Sequence, residues 1–503
     1  MPPTTLLGLL SSNPADQTAI ILPEQNLRIS YGAFRDEVKS VAEALAAHGV
    51  RRGDRVGMAF PNGFPVVVAF LAAGEAGTAA PLNPGYKEDE FKFYLEDTSA
   101  KVLLLPPTGA EDARRAAAAC QVPVLSVDMT ADGHITVEGK RGGQPYEGPR
   151  ADDVALILHT SGSTGRPKRV PLSHANLSIS AGNVAATYAL SAKDVSLCVM
   201  PLFHVHGLVA STLATLATGG TVVVPAKFSP LSFWRTVRDT GATWYSAVPT
   251  IHQLLLARAE KGSRPAGAEN LRFIRSCSAA LPPPVMADME AAFGAPVLEA
   301  YGMTEAAHQM ASNPLPPAAR KPGSVGPGTQ VGISIRDEKG NVLPTGERGE
   351  VCISGPNVVK GYENNPEANA TAFFGEWFRT GDQGTLDEQG YLSLTGRLKE
   401  MINRGGEKIS PREIDEVLLA HPAIAEAVAF GAPHATWGEE VAAAVKLKDG
   451  ETAKEADILA FCRERLADFK RPKQIFITDA IPRTATGKIQ RRVVAQAFST
   501  QPQ

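Results

Sequence analysis

Residues 160–168 read Thr-Ser-Gly-Ser-Thr-Gly-Arg-Pro-Lys, directly after the apolar run VALIL at 154–158. Three hydroxyls and two glycines fall within Ser161–Arg166, a composition unsuited to building core. A buried strand that opens into such a turn offers consecutive backbone N–H groups and hydroxyls to an anion, and Lys168 adds a mobile positive charge. Phosphate suits this chemistry. The spacing departs from the G-x4-G-K-[ST] loop of kinases and GTPases, because Pro167 stands where the second glycine belongs and Arg169 follows the lysine. Taken alone, the stretch also reads as a solvated turn.

Four further stretches follow in order: YGMTE at 301–305, RTGD at 379–382, GRLKEMINRGGEKISP at 396–411 and PRTATGKIQRR at 482–492. Together with HTSGSTGRPKRVPLSHANL at 159–177, they resemble the motifs of the acyl-adenylate-forming superfamily. That group includes acyl-CoA synthetases, luciferases and the adenylation domains of peptide synthetases, and the resemblance runs nearly end to end. It implies an enzyme in which a carboxylate attacks the α-phosphorus of ATP, pyrophosphate leaves, and the acyl-AMP passes its acyl group to coenzyme A. An anion must then approach a polyanion, so a metal and several cationic donors are needed where charge builds up.

By the same resemblance, Thr160, Ser161, Gly162, Ser163, Thr164, Gly165 and Lys168 would cradle the β- and γ-phosphates. Glu305 would hold Mg2+, a hard cation that takes oxygen ligands. Thr304 would meet the α-phosphate, and Tyr301 would face adenine opposite Ser278, Ala279 and Ala280. Asp382 would accept both ribose hydroxyls with Arg397 beside it, although these two alone read as a loop ion pair. Lys488 would reach the carboxylate and α-phosphate during adenylation and would then obstruct the incoming thiol. The resemblance therefore implies a C-terminal domain that rotates about Lys399, bringing Gly405 and Gly406 into the coenzyme A channel. Arg404, Arg471 and Lys473 are candidate contacts for the phosphates of that cofactor.

The resemblance places the acid pocket along MPLFHVHGL, SAVPTIH, FIRSCSAAL and the residues after YGMTE. A fatty or aryl acid would want small and large apolar side chains there. These stretches instead carry His204, His206, His252, Arg275, Ser276 and His308. A carboxylate taken out of water costs several kcal/mol unless charge-assisted hydrogen bonds receive it. Each histidine alone reads as a hydrogen-bonded core residue, but their convergence points to a second carboxylate on the substrate. The same stretches, with GPNVVKGYENNPEAN and INRGGEKISPREIDEVLL, are similar to the oxalate–CoA ligases. Oxalate is the first expectation, malonate the second and an aromatic acid the third. An adenylating enzyme without a coenzyme A step, or a nucleotide-binding scaffold, is the alternative class.

The elements that must position these residues are an α/β arrangement. Helical spacing joins Phe34, Val38, Val41, Ala42, Leu45 and Ala46, with Gly49 at the C-terminal stop, while DRVGMAF, KVLLL, VALIL, GTVVVP and FIRSC read as short buried strands. The expectation is a large N-terminal domain of doubly wound sheets. GISIRDEKGNVLPTGERGEVCISG alternates apolar and polar residues around a turn at 339–341, which predicts an antiparallel, β-barrel-like subdomain. Ser410-Pro411 opens a new helix, and the last hundred residues suit a small mobile α+β domain of about two helices and three strands. The boundary is expected near Arg397, giving an AMP-binding domain at 1–397 and a mobile domain at 398–503.

Composition limits the setting. With 503 residues, 44% apolar and 20% charged, the chain can bury large cores in two to four units. A net charge of -3 gives no field that would draw nucleic acid or an anionic membrane. The five scattered cysteines form no CxxC pair, no apolar stretch reaches eighteen residues, and the first residues carry no basic n-region. The chain ends STQPQ rather than in a Ser-Lys-Leu address, so a small-molecule enzyme of the cytoplasm, without nucleic-acid or membrane partners, is expected.

Overall fold

In the computed structural model, which describes residues 4–160, 167–260, 262–483 and 489–499, the apolar runs of the first three hundred residues form two sheets. One has seven strands in the spatial order 135–137, 124–129, 102–105, 55–58, 78–81, 154–160 and 168–173. The other has eight, in the order 308–312, 297–303, 273–276, 244–247, 195–197, 221–223, 18–22 and 27–30. Inner strands run parallel in both, and the strand at each edge is antiparallel to its neighbour. Strands 102–105, 244–247 and 273–276 are buried at every residue, as strands covered on both faces must be.

Helices follow from local signals. The helix Tyr31–Ala47 begins where the Ser30 hydroxyl accepts the Ala33 N–H at 3.2 Å, and Gly49 at φ 85° lies just past its end, as the sequence predicts. The helix His174–Thr187 starts on a reciprocal cap between Ser173 and Asn176. The helix Phe64–Ala76 is buried at every position but Pro65, which explains a sequence with a single charge. That charge, Glu75, accepts the Leu7 N–H, and burial nonetheless pushes its carboxyl up to about 7.

The chain groups into two compact units. One comprises Met1–Lys321, Gly326–Gly332 and Ser354–Glu376; the other comprises Pro322–Val325, Ile333–Ile353 and Trp377–Gln503. In the second unit the last strand of the alternating stretch, 349–354, pairs antiparallel with 377–386, which pairs antiparallel with 392–397. Its turn is closed by Gly340 donating to Asp337 O at 3.0 Å.

The C-terminal part holds more than the expected two helices and three strands. Its sheet contains strands 407–409, 402–404, 438–447 and 424–434 in order, with 474–477 beside 438–447. Helices Pro411–Leu419, Glu455–Arg463 and Arg491–Ser499 accompany it. The two three-residue strands around Gly405-Gly406 are too short and too charged to show a period. Ser410 occupies the cap position of its helix, but its hydroxyl donates to Thr395 O instead of capping. No helix among the described residues is long and apolar enough to cross a membrane.

Candidate active site

Strands Val154–Thr160 and Lys168–Ser173 pair antiparallel with Thr160 opposite Lys168, so the predicted phosphate loop is the connection of a hairpin. Ser161, Gly162, Ser163, Thr164 and Gly165 lie outside the described residues, as does Lys488. The base of the hairpin is tied down by charge. Arg169 meets Asp97 Oδ2 and Glu363 Oε2, both at 3.3 Å, and His159 pairs with Asp97 at 2.9 Å. Burial holds His159 below its ordinary value despite that carboxylate.

Lys168 Nζ sits 4.5 Å above the centre of the Tyr362 ring. The Tyr362 hydroxyl donates to Glu305 Oε1 at 2.8 Å. Thr304 and Glu305 open a short 3-10 turn after the strand Val297–Met303 that carries Tyr301, and all three side chains are buried. Among the described residues no group of three or more His, Cys, Asp or Glu could hold a metal. A single buried carboxylate fits a cation that arrives with phosphate oxygens and water as its other ligands, which is how Mg2+ accompanies ATP.

After this turn the backbone is strained. Ala307 has φ 52° and His308 φ 116°, conformations costing on the order of 1–3 kcal/mol each in residues with a Cβ. Surrounding bonds impose them: Ser180 Oγ donates to Ala307 O, Asn357 Nδ2 to Ala306 O and Val359 N to Glu305 O, each at 2.8 Å. The turn presses on the preceding strand so closely that a Cβ on Gly302 would lie 2.1 Å from His308 O.

His308, thus aimed, joins His206 and Arg275. His206 starts a stretch of π-helix, His206–Leu213, a widened turn common at functional sites. Gly207 lets that turn approach Pro201, whose carbonyl would be 2.4 Å from an added Cβ. The His204 ring accepts the His206 N–H at 3.2 Å, so His204 holds the start of this turn.

Arg275, fully buried on strand Phe273–Ser276, donates from Nε to the Tyr188 hydroxyl at 2.9 Å and from Nη2 to Gln309 Oε1 at 3.0 Å. Its Nη1 reaches Ser246 Oγ at 2.9 Å and His206 Nε2 at 3.4 Å, and its Nη2 reaches His308 Nδ1 at 3.4 Å. Among the described residues no carboxylate pairs with it.

A guanidinium only donates, so its neighbours dictate the imidazole protons. Ser246 Oγ, receiving from Arg275, donates to His206 Nε2 at 2.6 Å. His206 then carries its proton on Nδ1 and donates it to Ser278 Oγ at 3.1 Å. His308, facing Arg275 through Nδ1, carries its proton on Nε2. Ser278, accepting from His206, keeps its own hydroxyl proton to donate, and the His308 ring carries an N–H; both are groups of the kind a carboxylate requires.

His252 and Ser276 fall outside this network. His252 is buried on helix Pro249–Leu256, 3.4 Å from the Tyr245 hydroxyl, and burial pushes it down to about 3. Ser276 Oγ is buried without a hydrogen-bond partner among the described residues. Ser278 has φ 74°, and Ala279 and Ala280 beyond it are exposed. Tyr188, Ser246 and Gln309 went unnoticed in the sequence. A polar Gln beside His308 in an apolar strand was the one available signal.

Within the second unit, Asp382 and Arg397 are opposite each other on adjacent strands, with Arg397 Nε 3.1 Å from Asp382 Oδ1. Asp382 is buried and held by its N–H to Thr380 Oγ1, while Arg397 is exposed. Lys399 lies in the turn Leu398–Glu400 that follows. Gly405 at φ 60° packs under Trp437, whose ring would be 2.7 Å from an added Cβ, and Arg404 covers that ring at 4.9 Å while pairing with Glu440 at 2.7 Å. Arg471 and Lys473 both neighbour Asp468.

Comparison with known proteins adds to this geometry. Residues 10–363 match the AMP-binding enzyme family, and residues 413–488 match the AMP-binding enzyme C-terminal domain. The chain is 47% identical to an oxalate–CoA ligase of Arabidopsis thaliana, across 99% of both chains. It is 44% identical to an oxalate–CoA ligase of Saccharomyces cerevisiae, across 96% of this chain and 95% of that one. Its fold superposes on ATP-bound MatB from Rhodopseudomonas palustris with a TM-score of 0.90 at 31% identity, covering 99% of each.

Proposed function

The chain belongs to the AMP-binding enzyme family, and from that premise we propose that it is an ATP-dependent oxalate–CoA ligase of the cytoplasm. Oxalate and ATP form oxalyl-AMP and pyrophosphate; coenzyme A then takes the oxalyl group and AMP leaves. The observation that carries the choice of acid is Arg275, a buried guanidinium with no carboxylate partner among the described residues, behind His206 and His308. A permanent cation in that position favours an anionic guest and disfavours an aryl or alkyl one. The 44–47% identity to two oxalate–CoA ligases supports the same reading.

Size is limited by chain connectivity. His308 follows Thr304, the residue assigned to the α-phosphate, by a single 3-10 turn. The anchor for one carboxylate thus lies close in sequence to the place where the other reacts, which suits a short diacid.

In this reading Thr160, Lys168 and the loop 161–165 bind the leaving pyrophosphate. Mg2+, when bound at Glu305, neutralises charge on the phosphate oxygens. Asp382 receives the ribose hydroxyls with Arg397, Tyr301 and Ser278–Ala280 flank adenine, and Ser278, His206 and His308 orient the acid. His204, His252 and Ser276 complete the pocket walls. Lys488 offsets charge where oxygen attacks phosphorus, then withdraws as the domain 398–503 turns about Lys399 and Gly405-Gly406 meets the pantetheine arm. The thiol sulfur bonds to the acyl carbon, the bond from that carbon to the AMP oxygen breaks, and the thiol proton passes to solvent.

The test is AMP release with oxalate, malonate, acetate, benzoate and coumarate, each with and without coenzyme A. Oxalate should be turned over most efficiently, with AMP release dependent on coenzyme A. Preference for malonate or a monoacid would overturn the substrate. ATP–pyrophosphate exchange without coenzyme A-dependent turnover would leave an adenylating enzyme instead.

A further inference from the structure

We propose that Tyr362 is a positioning residue that couples the metal carboxylate Glu305 to the phosphate-loop lysine Lys168, so that bound metal strengthens ATP binding at this site. The inference rests on the roles given to Glu305 and Lys168 above and adds a third residue that acts through those two.

One aromatic side chain serves two charged groups of opposite sign. The Tyr362 hydroxyl donates to Glu305 Oε1 at 2.8 Å, in a site where both residues are buried, and the ring face lies 4.5 Å beneath Lys168 Nζ. A charge-assisted hydrogen bond in a buried site fixes the orientation of the acceptor carboxylate. A ring face attracts an ammonium without neutralising it, so Lys168 keeps its charge in this contact. Tyr362 thereby holds an anion and a cation in register.

The backbone delivers this side chain independently of its identity. Val359 N donates to Glu305 O at 2.8 Å and Asn357 Nδ2 to Ala306 O at 2.8 Å, stitching the segment to the metal turn. On the other side Glu363 N donates to Arg169 O at 3.0 Å, and the Glu363 carboxylate pairs with Arg55 at 2.6 Å. Tyr362 itself is clamped by Asn369, which accepts its N–H at 2.7 Å and donates to its carbonyl at 2.8 Å. Every one of these bonds survives substitution of the phenol, so a variant at 362 tests the side chain rather than the segment.

The experiment is calorimetric titration of ATP into the full chain, with excess Mg2+ and with EDTA, without any acid or coenzyme A. Tyr362→Phe keeps the ring face and loses the hydrogen bond. It should weaken ATP binding in Mg2+ by about tenfold, the scale of one hydrogen bond to a charged group, and leave binding in EDTA unchanged. Tyr362→Leu loses both contacts and should weaken binding in both conditions. Glu305→Gln is the control, and the double variant Tyr362→Phe/Glu305→Gln should bind like Glu305→Gln alone.

Binding by Tyr362→Phe equal to the unaltered protein in Mg2+, with Glu305→Gln impaired, overturns the coupling and leaves the site assignment standing. Equal loss by Phe and Leu in both conditions also overturns it, since that is what a packing role would produce. If Mg2+ and Glu305→Gln have no effect on ATP binding to begin with, the assignment of Glu305 itself falls, and the coupling with it.

Discussion

Arg275 sets the protonation pattern of the proposed acid pocket, because a guanidinium cannot lose its charge and can only donate. Its contacts with Ser246, His206 and His308 force each imidazole to turn its proton away from it. Burying such a group without a carboxylate is costly, and the bound acid would offset that cost. Arg275→Met is therefore expected to raise KM for oxalate by at least about tenfold, because it removes the buried charge and the donors that orient His206 and His308. KM for ATP should stay within about twofold. His308→Ala should act in the same direction, and the double variant should lose less than the sum, since both act through one network. Steady-state kinetics with each substrate varied in turn decides this; an equal rise in both KM values would detach Arg275 from the acid. Sequence reading found Arg275, His206 and His308 by their polarity in apolar stretches. It had no means to separate them from His252, which is as polar in type and sits apart beside Tyr245.

Among elements, the strand Val297–Met303 and the turn after it carry the most constraint. The turn doubles back with two successive positive φ values, and Gly302 is the residue that makes room for it. Gly302→Ala would place a methyl group 2.1 Å from His308 O, so the turn must shift and His308 with it. The expected outcome is a fall in kcat/KM for oxalate larger than the fall in ATP affinity, with a lowered Tm in the same preparation. Unchanged kinetics would mean that the turn relaxes without moving the ring. Buried strands and the first helix were readable because their periodicity is imposed by burial over many residues. The π-turn at His206 and the three-residue strands beside Gly405-Gly406 were not, since elements so short are stabilised by neighbours distant in sequence.

Across the whole molecule, the proposed reading puts Tyr301, Thr304, Glu305, Lys168, Asp382 and Arg397 before the expected boundary near Arg397, and Lys399 and Lys488 after it. A lysine carried on a domain that turns can serve one half-reaction and leave the other. Lys488→Ala should abolish ATP–pyrophosphate exchange with oxalate and leave thioester formation from supplied oxalyl-AMP largely intact, measured by release of AMP on addition of coenzyme A. Equal loss of both half-reactions would contradict the turning domain.

The sequence by itself determined the reaction class and supplied the candidate residues. Loop glycines, motif order and the types of charged residue are local properties that survive without coordinates. Only the tertiary structure decided which parts meet. Arg275, His206 and His308 come from three separate stretches, and Tyr362 reaches Lys168 and Glu305 from a fourth segment of chain. The physical reason is that hydrogen bonds and charge–ring contacts act over a few ångströms in space, and separation along the chain does not encode which residues the packed sheets bring within that reach.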